Sequence, residues 1–259
     1  MTDAGQGIVL TGAAGEIGAA CCRRLLDGGH RLVAVDLDEA AGKALVESLD
    51  AGDRLSYIVA DVSDEAAVSR YVAEAGERLG RIDGFFNNAG IEGAVAPLPA
   101  YPMDVFDRVV AVNLRGVFLG LKHVMGAMAA TGGGAIVNTA SVAGLVGVAG
   151  ISAYIATKHA VVGLTKVAAV EGAAIGVRVN AVCPGPIEGR MMGSLETGAM
   201  SLLDLPDQAT AKAGFTQLVP GARYGTVDEV AAVVDFLLSP ASSYVSGAAI
   251  PVDFGLTAQ

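Results

Sequence analysis

The sequence predicts a single-domain α/β fold, a doubly wound parallel sheet of about seven strands with helices on both faces. Three observations carry this reading. Short runs of Val, Ile, Leu and Ala alternate with longer amphipathic stretches, the runs lack the polar alternation of a half-exposed strand, and the 35 glycines among 259 residues gather at the ends of the runs with no fixed period. The first run, 8–11, leads into an amphipathic stretch at 16–28; 32–35 leads into 38–50, 55–60 into 64–79, and 82–87 into a long segment from 102 to about 130. The alternation continues with 135–140, a helix from about 152 to 174, a strand at 177–182, a helix at 226–238 and a last strand near 248–252. Thr226-Val-Asp-Glu229 has the spacing of a capping box and opens the last helix. Only 187–217 breaks the rhythm. It is expected to be irregular, and a loop of that length serves as a substrate lid, an oligomer contact or a plain surface excursion. No repeat, low-complexity tract or Pro/Ser-rich linker divides residues 1–259.

Composition removes several classes of function. With 53% hydrophobic residues the chain is not disordered. A formal charge of −10, from 17 Lys+Arg against 27 Asp+Glu with no basic cluster, argues against nucleic acid and anionic membrane surfaces as partners. Met1-Thr-Asp-Ala-Gly5 has no basic region followed by an apolar stretch, so no secretory signal is expected. The 34 residues between His123 and Lys158 carry no Asp, Glu, Lys or Arg, yet Gly132-Gly133-Gly134 and the polar Asn138, Thr139, Ser141 and Ser152 make them a poor membrane span. A buried strand between two helices is expected there. Adjacent Cys21 and Cys22 and solitary Cys183 form neither a disulfide framework nor a C-x-x-C pair, which points to the cytoplasm. His30, His123 and His159 share no ligand spacing, so no intrinsic metal site is expected.

Chemistry enters at the first strand-to-helix turn. Thr11-Gly-Ala-Ala-Gly-Glu-Ile-Gly18 places glycines at 12, 15 and 18, where free backbone N–H groups and a helix dipole can receive a pyrophosphate, and makes the predicted sheet Rossmann-like. Gly12, Gly15, Glu16, Ile17 and Gly18 are therefore candidate cofactor contacts; a tight turn without ligand is the alternative. Asp36 ends the second strand, 18 residues beyond Gly18, where a carboxylate can accept both hydroxyls of an adenosine ribose and repel a 2′-phosphate. Leu37 beside it is not basic, so NAD is favoured over NADP. Asp36 could instead cap the following helix. Asp61 and Val62, after the third strand, are candidates for the adenine side, with helix capping the alternative for Asp61.

Tyr154-Ile-Ala-Thr-Lys158 puts a phenol and an ammonium one turn apart on a helix. At roughly 4 Å and an effective dielectric of about 20, the ammonium favours phenolate by about 4 kcal/mol, or about three pKa units, before desolvation opposes it. The phenol is then expected to approach working pH and exchange a proton with an alcohol oxygen. An exposed Lys packing along a Tyr is the alternative.

With these residues on the page, the sequence resembles the short-chain dehydrogenase/reductase family from about residue 7 to the C-terminus. The motifs occur in family order: the Gly-rich turn, Asp36, Asn87-Asn88-Ala89-Gly90, Asn113 in Ala-Val-Asn-Leu-Arg-Gly, Ser141, Tyr154 with Lys158, Arg178-Val-Asn-Ala-Val-Cys-Pro184-Gly185-Pro-Ile187, and Pro251-Val-Asp253. The resemblance implies a catalytic tetrad. Tyr154 would be the acid/base, Ser141 would hydrogen-bond the substrate oxygen, Lys158 would lower the Tyr154 pKa and grip the nicotinamide ribose, and Asn113 would hold a relay water. Asn88, Ala89 and Gly90 would line the adenosine side, and Pro184, Gly185 and Ile187 would approach the nicotinamide. Singly, Ser141 could be a loop cap, Asn113 a buried helix-kink hydrogen bond, and Pro184-Gly185 a plain turn. Three positions depart from the family. Glu16 replaces the middle glycine of T-G-x-x-x-G-x-G, Gly189 stands where a Thr often holds the carboxamide, and Phe254 interrupts a frequent Asp-Gly-Gly.

The expected reaction is NAD(H)-dependent interconversion of a small secondary alcohol and its ketone. Val142, Ile151, Met191, Met192 and Leu195 suggest an uncharged substrate, with Glu92, Glu188 and Arg190 the few charges nearby. Within the family, Gly90-Ile-Glu-Gly and the run after Tyr154 look most like enzymes of alicyclic alcohols and ketones. The competing readings are a 3-oxoacyl-[acyl-carrier-protein] reductase, which calls for NADP and a basic docking patch, an epimerase, which calls for a larger C-terminal region, and a non-catalytic NAD-sensing regulator, which calls for a broken tetrad. The resemblance also implies a homo-oligomer, tetramer or dimer.

Overall fold

In the computed structural model, which describes residues 5–258, the apolar runs form seven strands. These are β1 (Gly7–Thr11), β2 (Arg31–Asp36), β3 (Leu55–Val59), β4 (Gly84–Asn87), β5 (Gly134–Thr139), β6 (Val177–Pro184) and β7 (Ala249–Val252). They make one sheet in the order β3-β2-β1-β4-β5-β6-β7, every neighbouring pair parallel. Strand order reverses between β1 and β4, which opens a crevice at their carboxyl ends. The N-terminal stretch read for a secretory signal lies, in its first four residues, outside the described part.

Alternating side chains of each strand feed two cores. Ile8, Leu10, Leu32 and Ala34 pack beneath α1 (Glu16–Asp27), α2 (Glu39–Leu49) and α9 (Val227–Leu238). Val9, Val33 and Val35 face α3 (Glu65–Leu79), α5 (Val117–Ala130) and α6 (Ser152–Gly172) on the opposite side. Both faces are covered, which is why these strands show no polar alternation. Helix starts follow local chemistry. Asp38 accepts from the Ala41 N–H, Asp64 from the Ala66 N–H, and Thr226 and Glu229 form the full capping box expected of them.

The predicted long segment is α4 (Met103–Val110), a π-helical turn (Ala111–Gly116) and then α5. Among the described residues, Met103–Ala130 alone is long and apolar enough to cross a membrane; here it lies against α3 and α6 as a core helix does. The charge-free stretch 124–157 is the expected buried strand, β5, between two helices. The expectation of irregular structure at 187–217 is corrected. That segment forms α7 (Arg190–Leu203) and α8 (Gln208–Gln217). Gly193 and Gly198 lower helix propensity, and the buried side of α7 includes Glu196, so its apolar spacing was obscured. Asp204, at φ +51, ends α7, and Asp207 caps α8 through the Thr210 N–H.

Thr226→Ala removes one half of the α9 capping box. It is expected to lower unfolding free energy by about 1 kcal/mol, read as a lower urea midpoint with an unchanged denaturant slope.

Candidate active site

The turn after β1 needs its glycines for contact as well as conformation. Gly12 has φ +62, and a Cβ there would stand 2.8 Å from the Ala89 Cα; a Cβ on Gly18 would collide with the Gly12 carbonyl. Gly15 is the N-cap of α1 and provides no side-chain cap, so no N-cap side chain satisfies the first N–H groups of α1, those of Glu16, Ile17 and Gly18. Thr11 Oγ1 accepts the N–H groups of Asn88 (2.9 Å) and Ala89 (3.2 Å). The Asn88 amide donates to the carbonyls of Thr11 and Gly12, and its oxygen accepts the Thr139 hydroxyl at 3.0 Å. One side chain thus ties together the carboxyl ends of β1, β4 and β5.

Asp36 ends β2 with one carboxylate oxygen on the Ala14 N–H (2.9 Å) and the other on the Leu37 N–H (2.7 Å). The helix-capping alternative belongs instead to Asp38. Leu37 is 66% exposed beside it. Asp61 accepts the Ser63 N–H and hydroxyl while Asp64 caps α3, and Val62 packs against Gly116.

Beyond β5, Ser141 and β6 meet. Ser141 Oγ accepts the Ala143 N–H at 3.1 Å and donates to the Pro184 carbonyl at 3.4 Å, so the loop-capping role considered for it is present. Its hydroxyl also lies against the Tyr154 phenol. Lys158, 3% exposed, donates to the Thr139 carbonyl at 2.7 Å, with Nζ 5.4 Å from the Tyr154 ring centre. Asn113 sits in the π-helical turn, fully buried, with its amide clasping both backbone groups of Ile91 (2.8 and 2.9 Å) and reaching Thr157 Oγ1 at 3.4 Å. Gly90 lies between the two. A Cβ there would stand 3.3 Å from Asn113 Oδ1 and 3.4 Å from Lys158 Nζ. Gly185 donates to the Val252 carbonyl and abuts Asp253, while Ile187 is buried and bridges to Gly225. The structure therefore gathers Asn113, Ser141, Tyr154 and Lys158 on one side of the crevice, with Asp36 at its other end.

The electrostatic expectation for Tyr154 is corrected. In the chain by itself, burial pushes its phenol up to about 12; the Ser141 hydrogen bond opposes this and the Glu92 carboxylate adds to it. Burial also pulls the Lys158 ammonium down to about 8. The ammonium points at the Thr139 carbonyl instead of pairing closely with the phenol, and desolvation dominates for both groups.

Sequence reasoning missed the Asn88 brace, for which the polar pair Asn87-Asn88 at the end of a buried strand was the available signal. It also missed a contact across 174 positions, in which both carboxylate oxygens of Glu16 accept the Arg190 N–H. The Arg190 guanidinium in turn pairs with Glu92 at 2.9 Å. Phe254 packs on Gly221 with the Arg223 guanidinium 5.3 Å from its ring centre.

This is the arrangement of a nicotinamide-dinucleotide oxidoreductase. A family model described as enoyl-(acyl carrier protein) reductase matches residues 12–257. Levodione reductase of Leifsonia aquatica is 45% identical over 255 residues, covering 97% of this chain and 94% of that protein. Cyclohexanol dehydrogenase of Acinetobacter sp. strain SE19 is 37% identical over 252 residues, covering 97% and 94%. Among solved structures, levodione reductase superposes with a TM-score of 0.93 at 43% identity, covering 98% of each chain. NAD+-bound xylitol dehydrogenase does so at 0.92 and 35%, covering 98% of this chain and all of that one. The chain belongs to the short-chain dehydrogenase/reductase family and is an oxidoreductase of CH–OH groups.

Lys158 supplies a stability test. Below pH 8 the folded and unfolded ammonium are both charged, so the burial penalty is complete; it fades as pH rises toward 10.5, where the unfolded chain also loses its proton. The displacement from 10.5 to about 8 is worth on the order of 3 kcal/mol, against about 1 kcal/mol for the bond to Thr139. Without dinucleotide, Lys158→Met is expected to be the more stable protein at pH 7, by about 2 kcal/mol, with the gap closing above pH 8. Chemical denaturation at pH 7, 8 and 9 measures it, and a variant weaker than wild type at pH 7 contradicts the burial penalty.

Proposed function

We propose that the chain is an NAD(H)-dependent oxidoreductase interconverting a small, largely apolar, alicyclic secondary alcohol and its ketone, with Tyr154 as general acid/base. The observation that carries this is the convergence of Tyr154, Ser141, Lys158 and Asn113 around Gly90, beside the uncapped start of α1. A bound nicotinamide supplies the hydride acceptor or donor. Tyr154, protonated at neutral pH in the chain by itself, is in the form that donates to a ketone oxygen. Alcohol oxidation requires that proton to leave. Ser141 favours the phenolate through its hydrogen bond, and Lys158, one helical turn away, is the cation available to it. Ser141 also orients the substrate oxygen, while Asn113 fixes Ile91 and with it the proposed water path to Lys158. The candidate dinucleotide contacts are Gly12, Gly15, Glu16, Ile17, Gly18, Asp36, Leu37, Asp61, Val62, Asn88, Ala89, Gly90, Pro184, Gly185 and Ile187, together with Tyr154 and Lys158.

NAD is supported by the Asp36 carboxylate at the end of β2 and the absence of Lys or Arg at 37 and 38. Alicyclic substrates are supported by the names of the relatives, levodione reductase and cyclohexanol dehydrogenase, and by the apolar Met191, Met192 and Leu195 on α7. We assign α7 and α8 the role of substrate lid over one domain. Glu196, buried in α7, accepts from Tyr224 and Gln208 and so pins the two helices together. A homo-oligomer, tetramer or dimer, is supported by Phe118, Val167 and Val170 exposed on α5 and α6, and the cytoplasm by three buried, unpaired cysteines. An NADPH-bound polyketide ketoreductase at TM-score 0.91 favours a second reading, reduction of a carrier-bound 3-oxoacyl group. Asp36 opposes it.

A panel of cyclic and acyclic alcohols, ketones and a 3-oxoacyl thioester, assayed with both dinucleotides, tests the reading. Cyclic substrates with NAD(H) are expected to exceed the NADP(H) rate at least about tenfold in kcat/KM, ~1.4 kcal/mol. Asp36→Ala is expected to narrow that ratio, and Tyr154→Phe to lower kcat by about 10²–10⁴. Equal NADP(H) rates in the wild type, or full turnover in Tyr154→Phe, overturn the corresponding assignment.

A further inference from the structure

Glu16 and Gly189, two of the positions where this chain departs from its family, meet in space. Glu16 opens α1, immediately past the phosphate-binding turn, and its two carboxylate oxygens accept the backbone N–H of Arg190, the first residue of α7, at 3.0 and 2.9 Å. Gly189, in between, has φ +151, and any Cβ at that position would fall inside the Glu16 carboxylate. The two positions fit as a pair, because only a residue without a side chain at 189 admits the carboxylate.

The sheet order fixes where this contact lies. β1 and β6 are separated by β4 and β5, so a bond from the segment after β1 to the segment after β6 bridges the carboxyl ends of β4 and β5. Those ends carry Gly90 and Ser141. A dinucleotide stretched from Asp36 to Lys158 along the start of α1 must pass this crossing. The carboxylate is also well placed electrostatically. It sits at the positive end of α7, whose N-cap residue offers no side-chain acceptor, and both oxygens are occupied there instead of facing a pyrophosphate bare.

We propose that Glu16 is a latch, a positioning residue that fastens the start of α7 across the dinucleotide cleft and sets how fast the cofactor leaves. The proposal rests on the NAD(H) reading above. Opening the cleft breaks the Glu16–Arg190 contact; closing it re-forms a charge-assisted hydrogen bond to a helix terminus. Length and charge of the side chain are separable. Glu16→Asp keeps the charge and loses the reach, whereas Glu16→Gln keeps the reach and an acceptor oxygen and loses the charge. Gly189→Ala attacks the same contact from the other side by sterics.

Stopped-flow fluorescence of NADH displaced by excess NAD+ reads release directly, with melting curves confirming that each variant is folded. Glu16→Asp and Gly189→Ala are expected to release NADH about tenfold faster than wild type, ~1.4 kcal/mol, and Glu16→Gln less than about threefold faster. If Glu16→Gln alone changes the rate, charge acting on the pyrophosphate governs release and the latch is wrong. Equal release from all four proteins also overturns it. Failure of the wild type to bind NADH removes the dinucleotide reading itself, whereas tight binding with unaltered release removes only the latch.

Discussion

A cation almost completely out of water is the constraint around which this molecule is arranged. Among the described residues no carboxylate pairs with the Lys158 ammonium; the Thr139 carbonyl, at the very end of β5, is its hydrogen-bond acceptor. That residue faces two ways. Its carbonyl takes the ammonium while its hydroxyl donates to Asn88, and Asn88 in turn holds the carbonyls of Thr11 and Gly12. A continuous hydrogen-bonded path thus runs from the Lys158 ammonium in α6 to the Gly-rich turn. Every other member stands at a strand end or directly after one. The separation between the two halves of the site is set by neighbouring strands of a parallel sheet, the stiffest spacing the fold has to offer.

Beneath this path a second polar series runs through the core. Asn87 donates to the Val117 carbonyl at the start of α5 and to Asn138 on the paired strand; Asn138 donates to Thr165 in α6, which donates on to the Val161 carbonyl. Each such bond adds only about 1 kcal/mol net, but a buried amide left unpaired costs about 1–3 kcal/mol. The series therefore acts chiefly by excluding other packings of α5 and α6 on the sheet. Those two helices carry or adjoin Asn113, Tyr154 and Lys158, so the choice of packing also sets how these three side chains meet.

What the sequence revealed and what it withheld divide along physical lines. Strands, most helices, the Gly-rich turn, Asp36 and the Tyr154–Lys158 spacing were legible because each is encoded within a few residues, by periodicity, turn chemistry or a cap. The helices α7 and α8 were not, since Gly193, Gly198 and a buried Glu196 blur the apolar stripe and packing against the rest of the chain overrides weak local propensity. The direction of the Tyr154 shift was not legible either. Proximity of phenol and ammonium can be read from spacing, but the water each loses depends on everything folded around them, and here that larger effect pushes both groups toward neutrality. Nothing local joins Glu16 to Arg190 or Asn88 to Thr139; such partners are set by strand order.

Arg190 shows how these long-range contacts bear on chemistry. Its backbone is held by Glu16 beside the Gly-rich turn, and its guanidinium is held by Glu92, a carboxylate only 12% exposed. Glu92 is one of the groups that raise the Tyr154 pKa. A cation 2.9 Å from that carboxylate screens it, so withdrawing the start of α7 would leave Glu92 unpaired and the phenolate still less favoured. The position of the start of α7 and the acidity of the phenol are therefore linked through Glu92. Arg190 thus joins two carboxylates, its backbone N–H held by Glu16 where Gly189 leaves room for that carboxylate and its guanidinium held by Glu92, which opposes proton loss at Tyr154.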